Sequence, residues 1–185
     1  MRKLRKLRIA EKRIRFAATD VLSWGEMILW IKKKQKKFYD DSVLQGVRLH
    51  FVKNISTEIR ESCKDFCRWL RRNYFFPIRC NIIIKNCSYF ERDKGIAGDK
   101  DSYADFYYDS GEKEGYPESW IAAGRSKGEN AEKSKKRILF LIAHELTHYF
   151  QWYFFEFDNR SDRSLETEAD KWSRYLLQEY FDAQS

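Results

Sequence analysis

The chain has 185 residues, a length that suits one domain with a modest extra segment. Its residues are 43% hydrophobic and 17% aromatic, which excludes an intrinsically disordered chain and indicates a folded core. The formal net charge of +8 is uneven, because residues 1–37 hold 13 Lys or Arg against three acidic residues, whereas residues 38–185 hold 23 against 25. We therefore divide the chain into a basic helical N-terminal segment, 1–37, and a main domain, 38–185.

The N-terminal segment has apolar residues on one helical face and basic residues on the other over 1–18, which predicts a basic amphipathic helix. A second short helix is expected over 21–31. Such a segment can stay a solvated tail, bind nucleic acid or an anionic membrane, fold over a cleft or dock on a partner, and the sequence leaves these alternatives open. No base-reading or zinc-finger motif accompanies it, so sequence-specific DNA recognition is not indicated.

Targeting signals and disulfides are not predicted. The chain contains no run of 18 apolar residues, and its basic start is not followed by an uninterrupted apolar region. We therefore expect a cytoplasmic protein with reduced thiols. The cysteine spacings match no usual zinc knuckle, which favours ordinary buried thiols over a four-thiolate zinc site. The four cysteines are Cys63, Cys67, Cys80 and Cys87.

The main domain begins with a helical pattern and then changes to strand patterns. Apolar residues recur at helical spacing over 55–74, with Ser56 or Asn54 as the expected N-cap, and Pro77 stops the helix. We expect the strands that follow to form one small sheet. Glycine-containing loops separate these strands, which are predicted over 80–84, 103–108 and 120–123.

Two helices are predicted near the C-terminus. The first begins near Asn130 or four residues later and runs to about residue 157, where a polar turn follows. The second covers about 165–181, with Ser164 as its expected N-cap. The turn between them allows the two helices to fold back on each other.

The first of these helices carries the residues with the clearest chemistry. His144 and His148 are four positions apart, so on a helix they face the same way at about 5–6 Å, and both imidazoles can reach one Zn²⁺ at about 2.0–2.1 Å. Glu145 lies next to the first histidine, badly placed to bind the metal but well placed to act as a general base on water. Burying two histidines and an acid in an apolar helix is costly without a metal.

The second helix offers a third ligand. Glu166 and Asp170 are again four positions apart and share a face, and the small Ala169 allows close packing on the first helix. Glu166 would complete a His₂Glu zinc site with one open position, and Asp170 would hydrogen-bond the free N–H of a ligating histidine. Glu168 is the rival third ligand, but it points away from the face that holds Asp170.

These residues carry a family resemblance. HELTH, at 144–148, followed about eighteen residues later by ETEAD, at 166–170, resembles the gluzincins, zinc peptidases with HExxH on one helix and ExxxD on the next. The match covers roughly 134–177, and in size the chain resembles the minimal, one-domain members. The resemblance implies an α+β, zincin-like fold for 38–185, in which a small sheet of about three strands packs on the HExxH helix and the glutamate helix, with 1–37 as an extra helical segment.

The resemblance also implies functional roles. It makes His144, His148 and Glu166 the zinc ligands and Glu145 the base, and it implies that the strand over 120–123 lines the cleft and pairs with an extended substrate. The thermolysin-like branch is not assigned, because it has Asn where this chain has leucine before the glutamate ligand. The metzincin pattern fails, because a glutamine stands in place of its glycine and no third histidine follows. For the oxyanion-stabilising residue, three candidates stay open: Tyr149, Tyr153 and His50.

The function that these residues predict is zinc-dependent hydrolysis of peptide bonds in a peptide or protein substrate. Zinc would polarise the scissile carbonyl group and acidify a water molecule, and Glu145 would take the proton and deliver it to the leaving amine. The alternative is a latent or non-catalytic zinc protein that binds nucleic acid or an anionic membrane through 1–37. A fourth ligand from Glu168 or a neighbouring acid would favour that alternative.

Overall fold

A computed structural model describes residues 29–38, 44–91, 102–108, 116–125 and 128–184. These residues form an α+β unit with three α-helices and one open, mixed sheet of four strands. The helix expected over 1–18 lies outside the described residues. Within these ranges, no helix combines the length and the apolar character needed to cross a lipid bilayer. The elements are β1 (Val47–Phe51), α1 (Thr57–Asn73), β2 (Cys80–Lys85), β3 (Ala104–Tyr107), β4 (Glu118–Ala122), α2 (Ala131–Tyr153) and α3 (Asp162–Asp182).

The sheet has the strand order β1-β2-β4-β3. Strand β2 pairs in parallel with β1 and β4, and β3 adds in antiparallel orientation at one edge. All three predicted strands are present, but the prediction of about three strands is wrong, because β1 is a fourth. Only Val47 of β1 is buried, and the exposed Arg48 and His50 alternate with half-buried residues. A short edge strand of this kind has no apolar run that would reveal it in the sequence.

Helix α1 begins where the sequence predicts. The side-chain oxygen of Ser56 accepts a hydrogen bond from the backbone N–H of Ile59 at 3.3 Å and so caps the helix. The buried stripe of α1 includes two of the cysteines, and no disulfide joins the described thiols. The prediction of ordinary buried thiols is therefore confirmed for Cys63, Cys67 and Cys80, whereas Cys87 is a free thiol that is only half-buried.

Helix α2 begins after Asn130, whose side chain accepts a hydrogen bond from the N–H of Lys133 at 2.8 Å. It ends at Tyr153, before the predicted end at residue 157. The reason is Phe155, which adopts a left-handed backbone conformation with φ of 59° that an α-helix cannot include. A short 3₁₀ turn, Glu156–Asp158, leads to the next helix.

Helix α3 begins earlier than predicted, at Asp162. The N-cap is Ser161, whose hydroxyl oxygen accepts a hydrogen bond from the N–H of Ser164 at 3.4 Å. Ser164 itself, the expected cap, lies in the first turn and accepts a hydrogen bond from Arg160 at 2.9 Å. Helix α3 packs along α2, and Ala169 is fully buried.

Residues 29–31 belong to the core, although the sequence analysis assigned them to the N-terminal segment. Leu29, Trp30 and Ile31 are each at most 2% exposed. The indole ring of Trp30 packs edge-on against Tyr74 at 5.1 Å, and its Nε1 donates a hydrogen bond to Oγ1 of Thr147 at 3.2 Å. These residues form bends and irregular chain instead of the end of a helix, so the helix predicted over 21–31 is wrong for its last three residues. The core therefore begins before the expected boundary at residue 38.

Candidate metal centre

Three side chains from two helices meet at one point. His144 and His148 project from one face of α2, and Glu166 projects from α3. The two Nε2 atoms of the histidines are 3.1 Å apart. Oε2 of Glu166 lies 3.1 Å from Nε2 of His144, and its Oε1 lies 3.2 Å from Nε2 of His148. In the part of the chain that the structure describes, these three residues are the group of His, Cys, Asp or Glu side chains that could hold a metal ion.

The spacing of these atoms fits a single zinc ion. In a tetrahedral site with zinc–ligand distances of about 2.0–2.1 Å, neighbouring ligand atoms lie about 3.3 Å apart. The three separations here, 3.1, 3.1 and 3.2 Å, are close to that value. The side chain of Glu166 is 61% exposed, whereas those of His144 and His148 are 12% and 9% exposed. The cluster is therefore open to solvent on the carboxylate side and enclosed on the imidazole side.

A glutamine fixes the protonation of His148. Nδ1 of His148 lies 2.7 Å from Oε1 of Gln151, which is fully buried. The amide nitrogen of Gln151 donates to the backbone oxygen of Leu165 at 3.0 Å and to Oε2 of Glu168 at 2.9 Å. Because both of those partners only accept hydrogen bonds, the amide oxygen must face His148 and accept a hydrogen bond from its Nδ1–H. A neutral His148 therefore has an unprotonated Nε2.

The cluster consequently brings electron-rich atoms together. The lone pair of Nε2 of His148 points at a carboxylate and at the second imidazole. Such atoms repel one another at about 3 Å unless a cation lies between them. A single proton can form a hydrogen bond between two of the three atoms, whereas a divalent cation can bind all three and remove their repulsion. The donor set, two imidazole nitrogens and a carboxylate, fits zinc.

His144, the other histidine of the cluster, lies next to the carboxylate of Asp170. Nδ1 of His144 is buried and lies 3.2 Å from Oδ1 of Asp170, at ion-pair distance but without hydrogen-bond geometry. The sequence analysis expected Asp170 to hydrogen-bond a ligating histidine, and the structure brings the two residues together without completing that bond. Asp170 also forms an ion pair with Arg174 at 3.3 Å, which offsets part of its negative charge.

Glu145 lies in the enclosed part of the same cleft and is 4% exposed. Burial raises the pKa of its carboxyl group to about 7, with a further contribution from the charges of Asp105 and Glu166, while the charges of His144 and His148 oppose the shift. A carboxyl group whose pKa is near neutrality can both take up and release a proton near physiological pH.

The pKa values of two residues of the cluster, Glu166 and His148, shift in opposite directions. The hydrogen bonds from His144 and His148 hold the pKa of Glu166 well below its usual range. Burial alone would lower the pKa of His148, but the hydrogen bond that its ring makes to the carboxylate of Glu166 and the charges of Glu145 and Glu166 outweigh burial and raise it. Both shifts reflect the close approach of the carboxylate and the imidazole rings, which favours the charged form of each group.

The cluster lies in a cleft of about 1010 Å³ bordered by α2, α3 and β3. Strand β3 is an edge strand that is hydrogen-bonded to β4 on one side. Strand β4, in contrast, lies between β2 and β3, so its backbone groups are already paired. The expectation that the strand over 120–123 pairs with a substrate is therefore wrong, and β3 is the strand at the cleft.

The three candidates for the oxyanion-stabilising residue lie elsewhere. The hydroxyl group of Tyr149 is buried, where it donates to the oxygen of Ile78 at 2.7 Å and accepts from its N–H at 2.9 Å. Tyr153 stacks on Tyr149 and is 6% exposed. His50 lies on β1, at the opposite edge of the sheet from β3. The described tyrosines that line the cleft are Tyr103 and Tyr108.

Glu168, the rival third ligand, has other partners. Its Oε2 accepts hydrogen bonds from Gln151 and, at 2.6 Å, from Arg160. Arg160 also binds Glu156 in the turn between α2 and α3. The structure thus places Glu166, and not Glu168, against the two histidines. The sequence analysis missed Gln151, whose position one helical turn after His148 was the available signal.

Comparisons with protein families, with characterised proteins and with solved structures find no match for this chain.

Proposed function

We propose that this chain is a zinc-dependent metallopeptidase of the gluzincin type, with His144, His148 and Glu166 as zinc ligands and Glu145 as the general base. One observation carries the proposal: two imidazole nitrogens and a carboxylate converge at 3.1–3.2 Å beside a buried glutamic acid. Three protein ligands with an open side are typical of catalytic zinc, whereas structural zinc has four.

Zinc bound at this cluster would supply a Lewis acid that polarises a carbonyl group and acidifies water. The remaining steps fall to the chain itself. The carboxylate of Glu145 takes a proton from the attacking water and returns it to the nitrogen of the leaving amine. Phe140, Leu141 and Leu165 line the cleft and reduce its access to bulk water, which strengthens the electrostatic interactions within it.

The substrate class follows from the strand at the cleft. Strand β3 lies at the edge of the sheet and lines the cleft that holds the metal cluster. An extended peptide can add to such an edge through backbone hydrogen bonds, which hold its carbonyl groups in a fixed register. A peptide bond in a peptide or an unfolded protein segment is therefore the substrate that the cleft fits.

A fourth protein ligand, from Glu168 or a neighbouring acid, would favour the non-catalytic alternative. The hydrogen bonds of Glu168 to Gln151 and Arg160 argue against that role. Binding to nucleic acid or an anionic membrane through 1–37 is a separate hypothesis, and most of that segment lies outside the described residues. A cytoplasmic location likewise stays a prediction.

The test combines metal content with hydrolysis. The purified chain should hold about one zinc ion and cleave members of a peptide library. Glu145→Gln should keep the zinc but lose hydrolysis by at least on the order of 10²-fold, because an amide cannot take up the proton. Glu61→Gln, the same change on an exposed residue of α1, is the matched control.

Glu145→Gln with wild-type activity would refute the mechanism. Tight zinc binding by a wild-type chain that cleaves no peptide would favour the latent or non-catalytic alternative.

A further inference from the structure

Gln151 is a buried polar residue whose hydrogen-bonding groups all have partners. It is completely inaccessible to solvent, and an unpaired amide in this position would strongly destabilise the fold. Its oxygen accepts from His148, and its nitrogen donates to a backbone carbonyl group and to Glu168. The amide is therefore held at both ends and has one orientation.

The partner that fixes this orientation is itself fixed. Arg160 donates to Oε2 of Glu168, and it also binds Glu156 and Ser164. The guanidinium group thus holds the carboxylate of Glu168 in place. A carboxylate only accepts hydrogen bonds, so it compels Gln151 to present its amide nitrogen to α3 and its oxygen to His148.

We infer that Gln151 is a positioning residue that holds His148 in its Nδ1–H tautomer, with Nε2 free for a metal ion, and that Glu168 and Arg160 lock Gln151 in this role. The inference rests on the proposed metal site. It gives a function to the polar contacts between α2 and α3, because hydrogen bonds from Arg160 through Glu168 and Gln151 orient a ligating histidine. Groups that orient a ligating histidine typically change metal affinity about 10–100-fold when removed.

The two histidines differ in the hydrogen bonding of their Nδ1 atoms. His148 has a complete hydrogen bond at Nδ1, whereas Nδ1 of His144 lies near Asp170 without hydrogen-bond geometry. The loss of Gln151 should therefore affect the site more than the loss of Asp170, although Asp170 belongs to the recognisable sequence pattern and Gln151 does not.

The experiment uses the full-length chain in two states. In the metal-free protein, long-range ¹H–¹⁵N NMR of the imidazole rings, at a pH where they are neutral, reports which nitrogen carries the proton. The chain has three histidines, so single His→Gln variants assign the signals. In the zinc-loaded protein, competition with a chromophoric chelator gives the zinc affinity. Both are measured for wild type, Gln151→Met and Asp170→Ala.

The control is Ser173→Ala. Ser173 is fully buried on α3 and donates to the oxygen of Ala169 at 2.7 Å, so its loss removes a buried hydrogen bond outside the cluster. Chemical unfolding of the metal-free variants measures the structural cost of each change separately from its effect on zinc.

The expected result for Gln151→Met is loss of the Nδ1–H preference of His148 and a fall in zinc affinity of about 10–100-fold, with Ser173→Ala unchanged in both. An unchanged tautomer and an affinity within about twofold of wild type would overturn the inference. If Gln151→Met does not fold, Glu168→Ala replaces it, with a smaller change in the same direction expected and no change overturning the inference. A wild-type chain that binds no zinc would refute the proposed function, while the NMR comparison would still test Gln151.

Discussion

Nε2 of His144 lies 3.1 Å from Oε2 of Glu166, although 22 positions separate the two residues in the sequence. This approach joins α2 to α3, which also pack against each other around the fully buried Ala169. A metal ion at this point would link the two helices. Because such an ion binds the native state and not the unfolded chain, it should add to the stability of the fold.

The first prediction follows from this link. His148→Ala should lose zinc and, as a result, unfold at a lower temperature than the zinc-loaded wild type. In the presence of excess chelator, the difference in unfolding temperature should shrink, because the wild type then loses the same stabilisation. His50→Ala is the matched control, since His50 is exposed on β1. Full zinc occupancy of His148→Ala, measured by mass spectrometry of the metal, would contradict the ligand assignment.

The second prediction separates two glutamates that are two positions apart on α3. Glu166→Ala should nearly abolish zinc binding, because it removes a ligand. Glu168→Ala should reduce zinc affinity only moderately, since Glu168 acts through Gln151. Chelator competition on both variants measures which change lowers the zinc affinity more. The opposite order, with Glu168→Ala the more damaging change, would mean that Glu168 is the metal ligand.

The sequence predicted the parts of this site that depend on helix geometry alone. Spacing of four residues places two side chains on one face whatever the rest of the fold does, so His144 with His148, and Glu166 with Asp170, could be paired at once. Helix geometry places Gln151 one turn after His148, but it does not show which way the amide faces, because Leu165 and Glu168 on another helix fix that orientation.

Other features depended on backbone conformation or on tertiary contacts. The early end of α2 results from the left-handed conformation of Phe155, a residue with no intrinsic preference for it. Tyr149 resembled a cleft residue in sequence, but the backbone groups of Ile78 bind its hydroxyl group inside the core. Leu29 to Ile31 looked like the end of a basic segment, and only packing against α2 and Tyr74 reveals them as core.

The third prediction concerns pH and the metal-free protein. The pKa of Glu145 in the folded state, about 7, lies above its ordinary value of 4.5. Between these values the folded protein binds more protons than the unfolded chain, so its stability should fall as the pH rises from about 4.5 to about 7. At about 1.4 kcal/mol per pKa unit, the full effect is on the order of 3 kcal/mol.

Glu145→Gln isolates this contribution, because glutamine does not titrate. The free energy of unfolding is measured by denaturant titration in the presence of chelator, for wild type and Glu145→Gln, at several pH values from 4.5 to 7.5. The stability of wild type relative to the variant should decrease with rising pH. A relative stability that stays constant or increases would show that the carboxyl group of Glu145 is not buried in the metal-free protein.

The last prediction concerns where the functional chain begins. Trp30 is fully buried and hydrogen-bonded to Thr147, inside the HELTH sequence, so its loss should cost about 3–5 kcal/mol. A chain that begins at Leu29 should therefore fold and bind zinc, whereas one that begins at Tyr39 should be insoluble or strongly destabilised. Circular dichroism and zinc content of the two shortened chains measure this difference. A stable, zinc-binding chain from Tyr39 would mean that residues 29–31 are dispensable for the core.

The chain from Leu29 also tests the role of the basic start. Residues 1–28 carry eight Lys or Arg against three acidic residues, and the cluster of five lysines in 32–37 stays in both chains. If 1–28 bind an anionic surface, the full chain should bind DNA or anionic vesicles more tightly than the shortened chain, and the difference should decline steeply with salt, because contacts with phosphate groups release counterions. Titrations at low and moderate salt measure this difference, and a peptidase assay runs beside them. Equal affinity of the two chains for the anionic probes would contradict the binding hypothesis. If the full chain binds more tightly, equal hydrolysis by the two chains would make 1–28 a binding segment. Faster hydrolysis by the shortened chain would make 1–28 a segment that keeps the enzyme latent.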